Sequence, residues 1–183
     1  WPNQLLPKEL PISVWQKEAL HYKLPTNASK LEQQLTQNRM LFFNSNVNRF
    51  RNPKTNLDEA QIVGKVINSF DAIYKANNQV LKPEDVGVIT PFRAQIAQIR
   101  SVLTQHGQNY ENCTIDTVER YQGGAREIII ISLCLNDAYQ LESIISLSDD
   151  EVVDRKLNVA LTRARRHLVL IGNEHLMRLD KRY

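Results

Sequence analysis

The stretch RKLNVALTRARRHLVLIGN, residues 155–173, places a cluster of cationic side chains directly before a run of apolar residues. An arginine guanidinium is planar and always charged, so an arginine in this position can stabilise charge that develops on a transferring phosphoryl group. The alternative is a solvated helix end, where the helix dipole favours cations. On a helix, Arg165 would lie on a different face from Arg163 and Arg166, so these arginines cannot all perform one task. The cationic residues are Arg155, Lys156, Arg163, Arg165 and Arg166.

The stretch TVERYQGGARE, residues 117–127, places Gln122 and the pair Gly123-Gly124 between two predicted strands. Glycine lets the backbone approach a ligand closely, and a glutamine amide both donates and accepts hydrogen bonds. These residues are therefore candidates for contacting a ligand. The alternative is a plain turn, which is the commoner meaning of a Gly-Gly pair.

The stretch ITPFRAQ, residues 89–95, predicts a strand that turns at Thr90 and Pro91 into a helix. The N–H groups at the start of a helix favour an anion, so this turn can hold a nucleic-acid phosphate. In open parallel sheets, ligands collect outside the carboxyl ends of the strands, which is where this turn is predicted to lie. The alternative is that Thr90 only caps the helix, with Pro91 at its first position.

The stretch LDEAQIVGK, residues 57–65, resembles in its letters both a magnesium-binding acidic pair and the end of a phosphate-binding loop. A magnesium-binding pair follows a buried strand, whereas residues 51–56 are polar. A phosphate-binding loop needs a second glycine upstream, and Gly64 has none. The pattern instead predicts the start of a helix, with Asn56 as its N-cap and Glu59 closing a capping box. We therefore predict no metal site and no phosphate-binding loop in this chain.

The elements that must position these residues alternate between strand and helix from residue 56 onward, which predicts an α/β fold with a parallel sheet. The run at 127–135 is the most hydrophobic and is therefore expected to be the central strand. No glycine-rich dinucleotide-binding fingerprint follows any predicted strand. The predicted strands cover 40–43, 85–90, 113–118, 127–135 and 167–172, the predicted helices 28–38, 56–77, 91–106 and 152–165, and a long acidic loop 136–151.

The 183 residues are 42% hydrophobic and 23% charged, the ordinary composition of a globular domain. Residues 1–26 hold several prolines without a sustained period, so we predict an irregular arm or linker there and one domain over 27–183. The chain begins at Trp1 and not at a methionine, so we expect that it was cut from something longer. A net charge of +3 permits nucleic acid as a partner without requiring it.

Cys113 and Cys134 have no second ligand at metal spacing and are expected to be buried free thiols. The sequence contains no apolar run long enough to span a membrane and does not open with a signal peptide. We therefore expect no membrane partner and an intracellular location, in the cytoplasm or the nucleoid.

Taken in order, VGVITPFRAQ, TVERYQG and LNVALTRARRHLVLIGN resemble the last three motifs of superfamily 1 helicases. The similarity is to the group that contains the nonsense-mediated-decay helicase and the Okazaki-fragment nuclease-helicase, and it covers residues 85–173. It implies a RecA-like parallel sheet flanked by helices, a P-loop NTPase fold that lacks its own phosphate-binding loop. The chain would be the second RecA-like domain, one wall of a cleft that closes on ATP while another surface grips single-stranded DNA or RNA.

The resemblance also implies roles for residues of the nucleotide site. Arg163 matches the arginine finger of the family, the catalytic group that stabilises charge on the γ-phosphate as ATP is cleaved. Gln122 and Gly123 match the hinge between the nucleotide-binding site and the site that binds the nucleic-acid strand. Together with Gly124 and Arg163, they are the residues expected to bind the nucleotide.

The strand-binding residues implied by the resemblance lie elsewhere in the motifs. Thr90 and Thr117 match positions that contact the nucleic-acid backbone, and Arg93 has a looser match to a phosphate contact. In this family the phosphate-binding loop and the Mg²⁺ site belong to the first RecA-like domain. We therefore expect that domain as a partner and ATP with Mg²⁺ as cofactors. The chain alone is expected to hydrolyse ATP negligibly.

One position departs from the family pattern. A glutamate that helps to hold the nucleotide in the family is Ala125 here, and Glu127 lies two residues too late to replace it. This departure favours an alternative, a catalytically inert helicase-like module that binds nucleic acid or protein. The arginine finger at Arg163 favours an active ATP-dependent helicase with altered nucleotide contacts.

Overall fold

The computed structural model describes residues 20–48, 52–105, 110, 112–121, 124–146 and 154–180. The predicted arm at 1–26 falls largely outside these residues, so its boundary with the domain stays a prediction. Gln122 and Gly123 also lie outside them.

Within the described residues, five parallel strands form one sheet. They are β1 (Met40–Asn44), β2 (Val86–Ile89), β3 (Thr114–Asp116), β4 (Arg126–Ser132) and β5 (Ala164–Gly172). Their order across the sheet is β1-β5-β4-β2-β3, and every neighbouring pair is parallel. The middle position of β4 confirms the prediction that the most hydrophobic run supplies the central strand.

Helices cover both faces of this sheet. They are α1 (Lys30–Gln37), α2 (Leu57–Ala76), α3 (Arg93–Gln105), α4 (Ala138–Ile144), α5 (Arg155–Leu161) and α6 (Glu174–Met177). Successive strand residues point to opposite faces. On the first face, Ile128 and Ile130 of β4 pack with α1, α2 and α3. On the second face, Ile129 and Ile131 pack with α4, α5 and α6. The result is a three-layer α/β sandwich of the RecA-like kind, which confirms the predicted fold class.

The segment predicted to be a long acidic loop contains the helix α4. The Asp137 carboxylate accepts a hydrogen bond from the Gln140 N–H at 2.9 Å and caps its first turn. Leu141 and Ile144 are buried in the core of the second face. The prediction was wrong here because a cap and two apolar residues at helical spacing outweighed the polar composition of the segment.

The segment predicted as one helix over 152–165 is divided between α5 and β5. Helix α5 ends at Leu161, and β5 begins at Ala164. The Arg126 N–H donates to the Arg163 carbonyl at 2.9 Å, so sheet hydrogen bonding takes over where the helix was predicted to continue. The helical argument that separated Arg165 from the other arginines is therefore wrong, because Arg165 lies on a strand.

The start of α2 agrees with the prediction in part. The Asn56 side chain accepts a hydrogen bond from the Glu59 N–H at 3.0 Å, as an N-cap does. The predicted capping box is wrong, because the Asn56 N–H donates to Gln95 Oε1 at 2.7 Å. The Glu59 carboxylate instead turns into the protein interior.

Cys113 and Cys134 are buried free thiols, as predicted. Burial raises the pKa of the Cys113 thiol to about 11, and it also raises the pKa of Cys134. Neither side chain is therefore a reactive thiolate at neutral pH. No helix in the described ranges is both long and apolar enough to cross a membrane.

Candidate functional site

The residues singled out in the sequence lie at opposite ends of the sheet. Thr90 and Thr117 follow β2 and β3, so they lie at the carboxyl ends of strands. Gly124 and Arg163 precede β4 and β5, so they lie at the amino ends. Since β2 (Val86–Ile89) spans 4 residues, the two ends are on the order of 13 Å apart. The structure therefore brings the candidates together as two groups and not as one.

Thr90 and Thr117 are neighbours in the group at the carboxyl ends. The Thr90 N–H donates to the Asp116 carbonyl at 3.1 Å, which joins the ends of β2 and β3. Thr90 is fully buried, and its hydroxyl has no hydrogen-bond partner among the described residues. Helix α3 begins only at Arg93, an exposed residue, and the Thr90 hydroxyl bonds to none of its N–H groups. The alternative in which Thr90 caps this helix is therefore wrong. A buried hydroxyl without a partner is costly, which is typical of a position that holds a water or a ligand.

A cavity of about 80 Å³ lies beside Thr90. Its lining is apolar except for Thr90, Glu119 and Lys156. The Lys156 ammonium pairs with the Glu119 carboxylate at 2.7 Å. This contact, with a weaker contribution from the Thr117 hydroxyl, holds the pKa of Glu119 below its usual range. A cation and a carboxylate therefore meet on the wall of the cavity.

Gly124 and Arg163 form the group at the amino ends. Gly124 is exposed and has a φ of 84°, a left-handed conformation that favours glycine. A Cβ added there would meet nothing within 4 Å, so a ligand can approach the backbone closely. Gln122 and Gly123, the other predicted members, lie outside the described residues, and their roles stay predictions.

The arginines of the TRARR segment differ in their partners. Arg165 and Arg166 both pair with the Glu127 carboxylate, at 3.5 and 3.0 Å. The Arg163 side chain makes no hydrogen bond or ion pair with any residue that the structure describes, and its Nε is buried. Arg163 therefore has no counter-charge among the described residues, and its carbonyl is hydrogen-bonded to Arg126, two residues after Gly124.

A buried cluster around Glu59 was not predicted from the sequence. The Glu59 carboxylate accepts hydrogen bonds from the Ser132 hydroxyl at 2.7 Å, the Cys134 N–H at 2.8 Å and the Ser45 hydroxyl at 3.1 Å. Burial raises the pKa of Glu59 to about 7, although these hydrogen bonds act in the opposite direction. The cluster joins the start of α2 to the segments that follow β1 and β4.

Gln95 extends this cluster to the turn after β2. Its side-chain amide donates to the Asn56 carbonyl at 2.9 Å and to Ser132 Oγ at 3.2 Å. Because Gln95 lies in the first turn of α3, the cluster holds the turn that contains Thr90. Helical periodicity could have found these residues, since Glu59 and Gln95 each lie four positions before a core residue of the same helix, Val63 and Ile99.

Two further features bear on what the site can hold. Within the described part of the chain, no group of three or more His, Cys, Asp or Glu side chains could hold a metal ion. A larger cavity, of about 630 Å³, lies at the β1 edge of the sheet and is lined by apolar side chains that include Phe42 and Leu170, together with the charged Glu174, Arg178 and Asp180. None of the residues predicted to form a site lines this larger cavity.

The sequence is similar to one family model and to parts of much longer proteins. The family model described as AAA domain matches residues 10–175. An uncharacterized ATP-dependent helicase of Methanocaldococcus jannaschii is 40% identical over 96 residues, which are 52% of this chain and 13% of that protein. The DNA polymerase alpha-associated DNA helicase A of Schizosaccharomyces pombe is 35% identical over 132 residues, 72% of this chain and 18% of that protein. A regulator of nonsense transcripts 1 homolog of Neurospora crassa is 35% identical over 126 residues, 67% of this chain and 10% of that protein. The chain therefore spans less than a fifth of the length of each of these relatives.

Proposed function

This chain belongs to the AAA domain family, and on that basis we propose that it is the second RecA-like domain of an ATP-dependent superfamily 1 helicase. Two RecA-like domains in such an enzyme close on ATP between them and move along single-stranded DNA or RNA. The relatives named as helicases support the activity, and the parallel sheet supports the fold. The sequence has no phosphate-binding loop, which favours the second domain over the first.

The main support for this function is that Arg163 has no counter-charge among the residues that the structure describes. Its neighbours Arg165 and Arg166 share the Glu127 carboxylate, whereas Arg163 has no acidic partner among the described residues. A guanidinium with a buried Nε and no counter-charge keeps its full electrostatic effect for an anion. ATP, held with Mg²⁺ by the first domain, would supply the transferring phosphoryl group. Arg163 would stabilise the charge that develops there when the two domains close.

The opposite end of the sheet is proposed to bind the single strand. Hydroxyls, backbone N–H groups and cations are the groups that bind nucleic-acid phosphates. Thr90 and Thr117 supply hydroxyls there and Arg93 is an exposed cation at the start of α3, whereas Lys156 of the adjoining cavity is already paired with Glu119. Ala125 stands where the family has a glutamate, so the surface of this domain that would face the nucleotide has one polar contact fewer.

The proposed function is tested by ATP hydrolysis in a polypeptide that contains this domain together with a first RecA-like domain. Turnover is measured with and without single-stranded DNA or RNA. We expect Arg163→Ala to lower strand-stimulated turnover by about three to five orders of magnitude, with strand affinity nearly unchanged. Arg165→Ala is the matched control, because Arg165 is exposed and already paired, and its turnover is expected to stay within about twofold.

The outcomes separate the helicase from the inert module. Measurable strand binding without turnover on any strand would contradict the helicase and favour a module that only binds. Strand-stimulated turnover that survives Arg163→Ala would contradict the role of Arg163 as the arginine finger.

A further inference from the structure

The side chain of Tyr121 occupies the space that Gly87 leaves by having no Cβ. A Cβ added to Gly87 would lie 1.8 Å from the Tyr121 hydroxyl oxygen and 2.8 Å from its Cζ. Real Cβ contacts essentially never fall below 3.0 Å, so only glycine is compatible with the ring where it lies. Tyr121 is buried, and its hydroxyl has no hydrogen-bond partner among the described residues. The ring is therefore held by shape and not by a polar contact.

Tyr121 lies on the connection that runs between the two functional ends of the sheet. Its N–H donates to the Thr117 carbonyl at 2.8 Å, so its backbone is tied to the proposed strand site. Gly124, three residues later, is at the amino end. Burial raises the pKa of Tyr121, and the positive charges of Arg126 and Arg163 act against that rise. The Arg126 N–H of β4 also donates to the Arg163 carbonyl at 2.9 Å, so the strand on which the ring packs at Ile129 is joined to the proposed arginine finger.

The β-strand beneath the ring also leads to the proposed binding site for single-stranded nucleic acid. Gly87 is a residue of β2, and Thr90 follows that strand directly. Tyr121 thus contacts the strand that ends at Thr90 and is hydrogen-bonded to Thr117. The ring packs in the core of the second face with Ile89, Ile129 and Ile131. A close-packed ring of this kind has one position on the sheet, so it transmits displacement where a loose side chain would absorb it.

We propose that Tyr121, packed on Gly87, is a positioning residue that links strand occupancy at Thr90 and Thr117 to the placement of Arg163. This inference rests on the proposed function and names a route by which the strand regulates ATP turnover. When a nucleic-acid strand binds, movement of the Thr117 turn is passed by the ring to Ile129 of β4 and, through the hydrogen bond from the Arg126 N–H to the Arg163 carbonyl, to the arginine. A residue that served packing alone would change the stability of the fold without changing the response to the strand.

The test compares ATP turnover with and without a single strand in the polypeptide that contains both RecA-like domains. The measured quantity is the ratio of the two rates. Tyr121→Phe should keep this ratio within about twofold, because the hydroxyl makes no hydrogen bond with the described residues. Tyr121→Leu should lower it by about tenfold, and so should Gly87→Ala, which displaces the ring. In these variants the affinity for a single strand, measured without nucleotide, should stay within about threefold of the wild-type value. The substitutions change the coupling between the two sites and remove no contact with the nucleic acid.

The matched control for Gly87→Ala is Gly64→Ala in α2. A Cβ at Gly64 would lie 3.5 Å from Val102 Cγ1, which is an ordinary contact. The Gly64→Ala variant should therefore have the same ratio of turnover with and without a single strand as the wild type. The double variant Gly87→Ala with Tyr121→Leu should lose less than the sum of the two single losses, because the tyrosine atoms nearest the new Cβ are gone and only Ile129 Cδ1, at 2.9 Å, still has to move. If melting curves show that Gly87→Ala does not fold, the comparison of Tyr121→Phe with Tyr121→Leu decides the question.

A wild-type ratio in folded Tyr121→Leu would overturn this inference, even if its melting temperature fell. Fully additive losses in the double variant would also overturn it. A wild type whose turnover no strand stimulates would contradict the proposed function itself, and with it this inference, before any variant is compared.

Discussion

The cationic residues near the two proposed sites differ in their partners. Lys156 pairs with Glu119, and Arg165 and Arg166 pair with Glu127. Exposed ion pairs of this kind contribute little to stability, and they reduce the charge that is left for a ligand. Arg93 and Arg163 have no such partner within the described ranges, and they lie at the two ends of the sheet where anions are proposed to bind.

Arg93 gives a prediction at the scale of a single residue. If its guanidinium contacts a nucleic-acid phosphate, Arg93→Ala should weaken single-strand binding by about three- to tenfold. The slope of log affinity against log salt concentration should fall by about one contact. Fluorescence anisotropy with a labelled strand over a range of salt concentrations measures both quantities.

The control for this variant is Arg100→Ala, two turns further along the exposed side of α3. It removes the same charge from the chain at a greater distance from Thr90. Equal losses in the two variants would show that Arg93 acts only through net charge, and an unchanged salt slope would rule out its phosphate contact.

At the scale of elements, the buried cluster around Glu59 decides how the functional turns are held. Its carboxylate contacts Ser45 after β1 and Cys134 after β4, and Gln95 of α3 is hydrogen-bonded to Ser132 of the same cluster. Buried polar groups that are fully hydrogen-bonded specify one arrangement of the elements around them, because any other arrangement leaves a partner unsatisfied. The turn at Thr90 is therefore positioned from two sides, by β2 and by this cluster.

The Glu59 carboxyl group makes the stability of the fold depend on pH. Its pKa is about 7 in the folded chain, against an ordinary value of 4.5, so the folded state binds this proton more tightly. Its contribution to the free energy of unfolding is fully present below about pH 4.5 and is lost as the pH rises through about 7. The difference corresponds to about 3 kcal/mol over that range. Denaturant unfolding of wild type and Glu59→Gln between pH 6.5 and 8 should show stability falling with pH only in the wild type.

This pH window is chosen because His167 acts in the opposite direction at lower pH. Burial lowers the pKa of His167 from 6.5 to about 4, so its contribution is present above pH 6.5 and is lost as the pH falls through about 4. Glutamine is a fair mimic of the protonated acid, since its amide group can donate to the Ser45 hydroxyl while its oxygen accepts from Ser132 and Cys134. Parallel pH profiles for the two proteins would show that Glu59 does not titrate in this range.

At the scale of the whole molecule, one α/β sandwich carries the proposed strand site at one end and the proposed nucleotide site at the other. The connection through Tyr121 joins them, and the sequence has no phosphate-binding loop of its own. We expect the 183-residue chain alone to bind single strands measurably but to release no phosphate from ATP above background. A phosphate-release assay checks this, and turnover by the chain alone that Arg163→Ala removes would contradict the two-domain proposal.

Local patterns were sufficient to predict much of this fold. The apolar run after Arg126 predicted the central strand β4, and the Asn56 cap predicted the start of α2, because both depend on residues close in the chain. The predictions failed at α4 and at the start of β5. There, burial against the second face and hydrogen bonds from β4 outweighed the polar composition of one segment and the helical pattern of the other.

The sequence by itself determined the fold class, the family resemblance and the candidate residues, because periodicity and motif spacing are properties of the chain. It could not determine which arginine of TRARR lacks an acidic partner among the described residues, since that depends on the position of Glu127 on the neighbouring strand. It could not show that the Thr90 hydroxyl has no hydrogen-bond partner among the described residues. Nor could it show that the Tyr121 ring occupies space that is free only because Gly87 has no Cβ. These features are contacts between residues distant in sequence, and only the packing of the sheet and its helices brings them together.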